Sequence, residues 1–226
     1  METLTLAHPH WEALTTATQD AFHLLSRLDL TPRFYLAGGT GLALHFGHRT
    51  SVDLDFFGEQ ANAVGPDERA TLRSALDDPS LAITYDKEAT FVVTWRGVGV
   101  SYFRYTLYPL ASPTLQLHGV PIASVEEIGA MKLAAIIDRG TRKDMVDLYY
   151  ILQQVSLETL FQVAAVKYAR VRTFAISATR ALAYFDDAEA QPMVRMLDKT
   201  PWAKMRQCLE GQAVEAGRQR LADLWD

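Results

Sequence analysis

The segment VDLDFF, residues 52–57, alternates apolar and acidic side chains around two aspartates, Asp53 and Asp55. Because side chains along a β-strand alternate between its two faces, this pattern predicts a strand with both carboxylates on one face and the apolar residues on the other. Two carboxylates about 7 Å apart suit divalent cations, which prefer oxygen ligands. Such cations neutralise the phosphates and the attacking oxygen in phosphoryl or nucleotidyl transfer. The pair is therefore a candidate metal site, and the alternative is a half-exposed strand whose outer face is simply hydrated.

A glycine-rich turn precedes this strand. Gly38, Gly39 and Thr40 lie between a short apolar strand, residues 34–38, and a short helix, residues 41–47. Glycine lets the backbone adopt positive φ and approach a ligand closely, and the N-terminus of the following helix presents N–H groups and a positive dipole end to an anion. The hydroxyl of Thr40 could add a further donor. Tight packing would also explain the glycines, but the order of turn, helix and acidic strand can bring a phosphate-binding turn against a metal pair.

The periodicity of the sequence changes along the chain. Residues 1–123 contain an amphipathic helix, predicted over residues 9–28, but are otherwise dominated by strand-like patterns. Helical patterns dominate residues 124–226. The change begins where Ser124 and Glu127 have the spacing of a capping box, which predicts the start of a helix. This division predicts an α+β fold with a helical C-terminal subdomain.

Charged residues are concentrated early in the helical half. Asp147 lies four residues after Lys143 and three after Asp144, so that all three project from neighbouring positions of one predicted helix. They adjoin the densest basic cluster of the chain, which consists of Lys132, Arg139, Arg142 and Lys143. A triphosphate would need about this much positive charge for compensation. The alternative is a capped helix start with salt bridges, each worth roughly a few tenths of a kcal/mol.

The composition is that of an ordinary globular protein, since 49% of the 226 residues are hydrophobic and 22% are charged. A net charge of −5 argues against a broad basic surface for duplex nucleic acid, although a local basic cleft is compatible with it. The single cysteine, Cys208, excludes an internal disulfide. The N-terminus lacks the pattern of a signal peptide, and no apolar run is long enough to cross a bilayer. We therefore expect a cytoplasmic protein without membrane association.

Three segments together resemble the AbiEii/AbiGii toxin family of nucleotidyltransferases, which belongs to the polymerase-β-like superfamily. The first is FYLAGGTGLALHFGHRTSVDLDFF, the second is AMKLAAIIDRGTRKDMVDLYYIL, and the third is ALAYFDDAEAQPMVRMLDKTPWAKMRQCLEG. The resemblance covers almost the whole chain. It implies a nucleotidyltransferase fold, a small mixed twisted sheet flanked by helices, with residues 1–123 as the core and residues 124–226 as the helical subdomain.

The resemblance implies roles for residues of the first segment. Gly39 and Thr40 match the phosphate-binding turn, and Asp53 and Asp55 match the metal-binding pair. Many superfamily members take a third metal carboxylate from a later strand, where this chain has Ser101. Either two strand carboxylates suffice, or a helix aspartate completes the site.

In the second segment, Lys132 and Arg139 resemble the basic pair that contacts nucleotide phosphates. Lys143, Asp144 and Asp147 match the family's K-D-x-x-D motif. Asp144 or Asp147 would orient or deprotonate the acceptor. We therefore expect at least one of these two aspartates in the same cleft as the metal pair.

The reaction implied by the resemblance is Mg²⁺-dependent, or alternatively Mn²⁺-dependent, transfer of a nucleoside monophosphate from a nucleoside triphosphate to an acceptor hydroxyl. The resemblance further implies the toxin of a toxin–antitoxin pair, with tRNA as the acceptor and a cognate antitoxin protein as a partner. Candidates for contacting RNA, expected on the first long helix after the catalytic motifs, are Arg170, Arg172 and Arg180.

Two alternatives to this function stay open. The first is a small-molecule nucleotidyltransferase of the antibiotic-modifying kind, which the acidity of the chain favours. The second is a degenerate fold that binds a nucleotide or a partner without turnover, and Ser101 in place of a third acid favours it.

Overall fold

The computed structural model describes residues 4–222, and the chain divides after Ser124 into two compact units. The first unit contains a seven-stranded mixed sheet accompanied by helices. The second unit, over its described residues 125–222, contains helices and no strand. The predicted α+β class is therefore confirmed. Within residues 4–222, no helix combines the length and the apolar character that crossing a membrane requires.

The acidic segment lies in the central strand of the sheet. The strands are β1 (Tyr35–Leu36), β2 (Leu54–Gly58), β3 (Ala82–Lys87), β4 (Thr90–Trp95), β5 (Val98–Arg104), β6 (Leu115–Leu117) and β7 (Val120–Ile122). Their order in the sheet is β3-β4-β5-β2-β1-β7-β6. β2 runs parallel to β5 and antiparallel to β1. Side chains of β2 therefore have neighbours from both adjacent strands on each face of the sheet.

β2 separates an apolar face from a polar one. Leu54 and Phe56 are fully buried, whereas Asp55 between them is half-buried. The strand begins at Leu54, and the side chain of Val52 is 45% exposed, so its predicted place on the buried face is wrong. The reason is that the Val52 carbonyl accepts a 3.3 Å hydrogen bond from the Thr18 hydroxyl, which anchors this residue in a loop instead of the sheet.

The bounds of the helices in the first unit differ from those that the sequence predicts, and the helix predicted over residues 41–47 begins at Gly38, so that the glycine-rich turn is its first turn. The helices are α1 (Thr16–Leu25), α2 (Gly38–Phe46) and α3 (Pro66–Ala75), with 3-10 turns at Trp11–Ala13 and Thr31–Arg33. The single helix predicted over residues 9–28 is therefore wrong at both ends. Leu14 is extended, and the Thr15 hydroxyl accepts a 3.2 Å hydrogen bond from the N–H of Thr18, so that α1 begins with its own cap.

Six helices form the described part of the second unit. They are α4 (Val125–Asp138), α5 (Arg142–Ile151), α6 (Leu157–Lys167), α7 (Phe174–Ala181), α8 (Asp186–Glu189) and α9 (Trp202–Ala222). α4 and α6 approach closely at Gly129, where a Cβ would lie 2.5 Å from Leu160 Cδ2. A buried ion pair also joins these two helices, with 2.5 Å between Lys167 Nζ and Glu127 Oε1. The helix that the capping-box spacing predicts is confirmed as α4.

Arg170, Arg172 and Arg180 do not share one helix, so that prediction is wrong. α6 ends at Lys167 because the backbone of the next residue leaves the helical conformation. Arg170 and Arg172 lie in the segment that follows, and Arg180 alone of the three belongs to a helix, α7. A role in contacting RNA stays a prediction for each arginine separately.

Candidate active site

The two strand carboxylates lie on the same face of the sheet. Asp53 immediately precedes β2, and a Cβ added to Gly99 of β5 would lie 2.6 Å from its Oδ1. Asp55 is paired in register with Ser101, two residues further along β5. Since residues 99 and 101 point to the same side of a strand, both carboxylates lie on that side. Gly99 leaves room for the Asp53 carboxylate, which any larger residue would displace.

The glycine-rich turn is in direct contact with this carboxylate pair. Gly38 has φ of +62°, a conformation that favours glycine, and a Cβ there would lie 2.7 Å from Asp55 Oδ2. The first backbone hydrogen bond of α2 runs from the Gly41 N–H to the Ala37 carbonyl, at 3.0 Å. The N–H groups of residues 38–40 therefore have no partner within the helix, as at any helix N-terminus. They form an anion-binding group of donors beside Asp55.

The hydroxyl of Thr40 connects the turn to the acidic loop. Thr40 is buried, and its hydroxyl donates to the backbone carbonyl of Asp53 and lies 2.8 Å from the Ser51 hydroxyl. These contacts fix the position of Asp53 relative to the turn. The donors that remain for a phosphate are therefore backbone N–H groups and not the Thr40 hydroxyl.

Arg49 is a candidate functional residue that the sequence analysis missed. Its side chain is only 5% exposed, and a Cβ added to Gly39 would overlap its guanidinium group. Nη1 donates to the carbonyl of Thr50 at 3.1 Å, which holds the loop after α2. A fixed positive charge thus lies against the glycine-rich turn. The available signal is an arginine four residues before Asp53, within the short polar segment 48–51.

The residues of this face fit a divalent cation with few protein ligands. Asp53 and Asp55 supply the hard oxygen donors that Mg²⁺ and Mn²⁺ prefer. Ser101, in register with Asp55, supplies a hydroxyl where a third carboxylate was sought. Across residues 4–222, no group of three or more histidine, cysteine, aspartate or glutamate side chains is arranged to hold a metal.

In the second unit, Lys132 joins both aspartates of the K-D-x-x-D motif. Its Nζ lies 3.0 Å from Asp144 Oδ1 and 2.6 Å from Asp147 Oδ2, and all three side chains are buried. We call these residues the lysine–aspartate cluster. It connects α4 to α5, since Lys132 belongs to the first helix and the two aspartates to the second.

Asp144 receives hydrogen bonds from two further residues. Arg139 donates through Nε at 2.9 Å and through Nη2 at 3.2 Å, and the Thr141 hydroxyl also donates to this carboxylate. Burial opposes ionisation of Asp144, but the charge of Lys132 and the hydrogen bonds from Arg139 and Thr141 outweigh it and lower the pKa to about 2. Asp144 is therefore ionised throughout the neutral range.

The other predicted cations of this region lie in different surroundings. Lys143 is exposed, and the Arg139 side chain is 51% exposed although it contacts Asp144. Arg142 is different, because its Nε donates to the Ala188 carbonyl at 2.7 Å and its guanidinium lies 4.8 Å from the ring centre of Trp202. The expectation of four clustered cations is therefore wrong for Arg142, which instead fastens α5 to the end of α8.

The chain matches a known protein family along most of its length. The model of the family described as nucleotidyl transferase AbiEii toxin, type IV toxin–antitoxin system, matches residues 21–118 and 104–221. An uncharacterised protein of Aquifex aeolicus (strain VF5) is 30% identical over 177 residues, which cover 76% of this chain and 84% of that protein.

Two solved structures show the same fold at low sequence identity. MenT4, a nucleotidyltransferase toxin of Mycobacterium tuberculosis H37Rv, is 18% identical with a TM-score of 0.58, covering 88% of this chain and 82% of MenT4. ANT(2″)-Ia in complex with adenylyl-2″-tobramycin is 13% identical with a TM-score of 0.53, covering 69% of this chain and 99% of that one. Together with the family match over both units, these findings identify the chain as a member of the AbiEii nucleotidyltransferase toxin family.

Proposed function

We propose that this nucleotidyltransferase transfers a nucleoside monophosphate from a nucleoside triphosphate to a hydroxyl group of tRNA, as the toxin of a pair with a protein antitoxin. Asp53 and Asp55 hold Mg²⁺, or alternatively Mn²⁺, which when bound neutralises charge on the phosphates. The backbone N–H groups from Gly38 to Thr40 bind the triphosphate at the N-terminus of α2.

The observation that carries this proposal is the closeness of Gly38 to the Asp55 carboxylate, whose Oδ2 would lie 2.7 Å from a Cβ at that glycine. A helix N-terminus attracts an anion, whereas a carboxylate pair repels it. The helix N-terminus and the carboxylate pair can bind the same phosphate group if a cation offsets the repulsion between the phosphate and the carboxylates. The juxtaposition therefore favours metal-dependent chemistry on a phosphate over a merely hydrated strand face.

In the helical unit, the proposal distinguishes between the two buried aspartates. Asp144 has a pKa of about 2 and accepts hydrogen bonds from Arg139 and Thr141, so it is a poor base at neutral pH and serves to hold its neighbours in place. Asp147 is also paired with Lys132, at 2.6 Å, so we assign to it the orientation of the acceptor and not its deprotonation. That Asp147 shares a cleft with the metal pair stays a prediction.

Phosphate contacts in the helical unit are assigned to Lys132, Arg139 and Lys143. Arg139 and Lys143 reach solvent and are available to a triphosphate. Lys132 holds both aspartates of the cluster, so contact with a phosphate requires that it exchange one of them. Its first role is therefore to position Asp147.

A small molecule is the second candidate acceptor. The fold likeness to ANT(2″)-Ia with its adenylylated aminoglycoside supports it, and so does the net charge of −5, which suits a cationic substrate. The degenerate binding module is the third candidate, because the strand face offers two carboxylates and Ser101.

One labelling experiment separates these three functions. The purified protein is incubated with Mg²⁺, each of the four nucleoside triphosphates labelled at the α-phosphate, and either tRNA, total RNA or an aminoglycoside. We expect label on tRNA. Label on the aminoglycoside would overturn the tRNA assignment, and no label on any acceptor despite nucleotide binding would identify a binding module.

Two variants show whether the label depends on the proposed site. Asp55→Asn keeps the shape of the side chain but removes the charge that binds the metal, and we expect it to abolish labelling. Asp29→Asn is the matched control, because Asp29 is an exposed aspartate of the same unit outside the site. Equal labelling by the two variants would contradict a catalytic role for Asp55.

A further inference from the structure

A group of aromatic rings continues the face of the sheet that carries the carboxylates. Phe57 stacks between Tyr35, with ring centres 5.7 Å apart, and Phe103, with ring centres 5.2 Å apart. Tyr105 contacts Phe57 edge-on at 5.2 Å, and Tyr108 lies 5.0 Å from Tyr105. We call these five residues the aromatic patch.

The aromatic patch is in register with the candidate metal site. Phe57 follows Asp55 by two residues in β2, so both side chains lie on one face, about 7 Å apart along the strand. On the parallel neighbour β5, Ser101 pairs with Asp55 and Phe103 pairs with Phe57. On both β2 and β5, successive side chains of this face therefore run from the candidate metal site to the aromatic patch.

Tyr35 is buried, with 3% of its surface exposed, and supports the patch from below, but core packing does not account for the other four rings. The hydrophobic core of the sheet lies on its other face, where Phe56 and Tyr102 are fully buried. Phe57 comes directly after Phe56, and Phe103 directly after Tyr102, so both point to the opposite face from the core. Both are partly exposed, as are Tyr105 and Tyr108. The chain thus places large apolar rings on the functional face, beyond what its core requires.

The geometry of the reaction indicates which of the two substrates, the nucleoside triphosphate or the acceptor, would contact the aromatic patch. The turn at Gly38 flanks Asp55 at the start of β2, whereas Tyr35 and Phe57 are paired near its end. In-line displacement puts the attacking hydroxyl on the side of the phosphorus opposite the leaving pyrophosphate. With the pyrophosphate on the turn, the acceptor approaches from the side of the aromatic patch.

We infer that the aromatic patch binds the terminal nucleobase of an RNA acceptor by stacking, which positions the terminal ribose hydroxyl beside Asp53 and Asp55. This inference rests on the proposed function and adds a binding site for the acceptor. Proteins hold single-stranded RNA ends by stacking bases on aromatic side chains, and such stacking needs no broad basic surface.

The test compares two acceptors that differ only in the terminal base. One is a tRNA transcript, and the other is the same transcript ending in an abasic ribose. Phe103→Leu keeps an apolar side chain but removes a stacking surface, and Tyr105→Leu is a second variant that leaves the Phe57–Phe103 stack intact. Tyr85→Leu is the control, because Tyr85 is a 43% exposed tyrosine on β3 of the same unit.

For the intact transcript, we expect Phe103→Leu and Tyr105→Leu each to raise KM by about tenfold. On the abasic transcript they should behave as the wild type does, and KM for the nucleoside triphosphate should stay within about twofold. The Tyr85→Leu control should match the wild type on both transcripts. Thermal melting establishes that each variant is folded.

Three results would overturn the inference. Equal losses on the two transcripts would mean that the patch does not contact the terminal base. A rise in KM for the nucleoside triphosphate instead of the RNA would assign the rings to the base of that nucleotide. If the wild type labels no RNA at all, the tRNA acceptor fails together with the patch, whereas the first two results leave the proposed function intact.

Discussion

Replacing Asp144 by asparagine removes a carboxylate that accepts hydrogen bonds from Lys132, Arg139 and Thr141. In the folded protein its pKa falls from the ordinary value of 3.8 to about 2. One pKa unit corresponds to about 1.4 kcal/mol, so ionised Asp144 contributes about 2 kcal/mol to the free energy of unfolding. Because the folded state has the lower pKa, this contribution is fully present above the unfolded-state pKa and is lost as the pH falls through the folded-state pKa.

Urea unfolding followed by circular dichroism measures this contribution. We expect Asp144→Asn to lower the free energy of unfolding by about 2 kcal/mol near neutral pH, and the difference from the wild type to disappear as the pH approaches about 2. Asp138→Asn is the control, because Asp138 is exposed at the end of α4, and it should differ little from the wild type at any pH. A difference between Asp144→Asn and the wild type that stays constant down to pH 2 would refute the reasoning, since it would not come from the charge.

Three further predictions concern the two motifs. Asn at Asp53 or Asp55 should leave the melting temperature unchanged or slightly raised, since it relieves repulsion between like charges in the metal-free protein; a large fall with activity retained would show a structural role. Gly38→Ala and Gly97→Ala both place a side chain at positive φ, +62° and +80°, and should each lower the free energy of unfolding by about 1 kcal/mol. Only Gly38→Ala should also reduce labelling, because nothing lies within 4 Å of a Cβ at Gly97; equal labelling would contradict the role of the turn. Lys132→Ala should weaken triphosphate binding more than monophosphate binding in calorimetric titrations and should destabilise the fold by roughly 3–5 kcal/mol, since two buried aspartates lose their partner. Equal weakening for the two nucleotides would leave Lys132 a structural role alone.

The sequence predicts best where the interacting residues are close in the chain. The alternation around Asp55 predicts the two faces of β2, because a strand has a period of two whatever it packs against. Its start is predicted wrongly by two residues, because a tertiary hydrogen bond from Thr18 holds the Val52 carbonyl. A strand boundary depends on such contacts, and the apolar side chain of Val52 carries no sign of them.

Contacts between distant residues explain what the sequence did not predict. Phe57 and Phe103 become neighbours because two strands separated by two others in the chain pair in parallel. The same is true of the charges near Lys132. Basic residues that are close in the sequence predict a cationic site, but the sequence does not show which of them are already paired within the protein. In the structure Lys132 is paired with two buried aspartates, whereas Arg142 points towards Ala188. Composition gives the number of charges in a segment, but only packing decides which of them face solvent.

Around the candidate active site of the first unit, three glycines lie where a charged side chain occupies the space of a Cβ. These approaches are Gly38 to Asp55, Gly39 to Arg49, and Gly99 to Asp53. Gly129 in the second unit is also crowded, but there a Cβ would meet the apolar side chain of Leu160. Alanine at Gly129 would disturb the packing of α4 on α6 and so lower stability, whereas alanine at Gly39 or Gly99 would displace a charged group on the functional face. If the proposed site is correct, substitutions at these two glycines should therefore impair transfer more than stability.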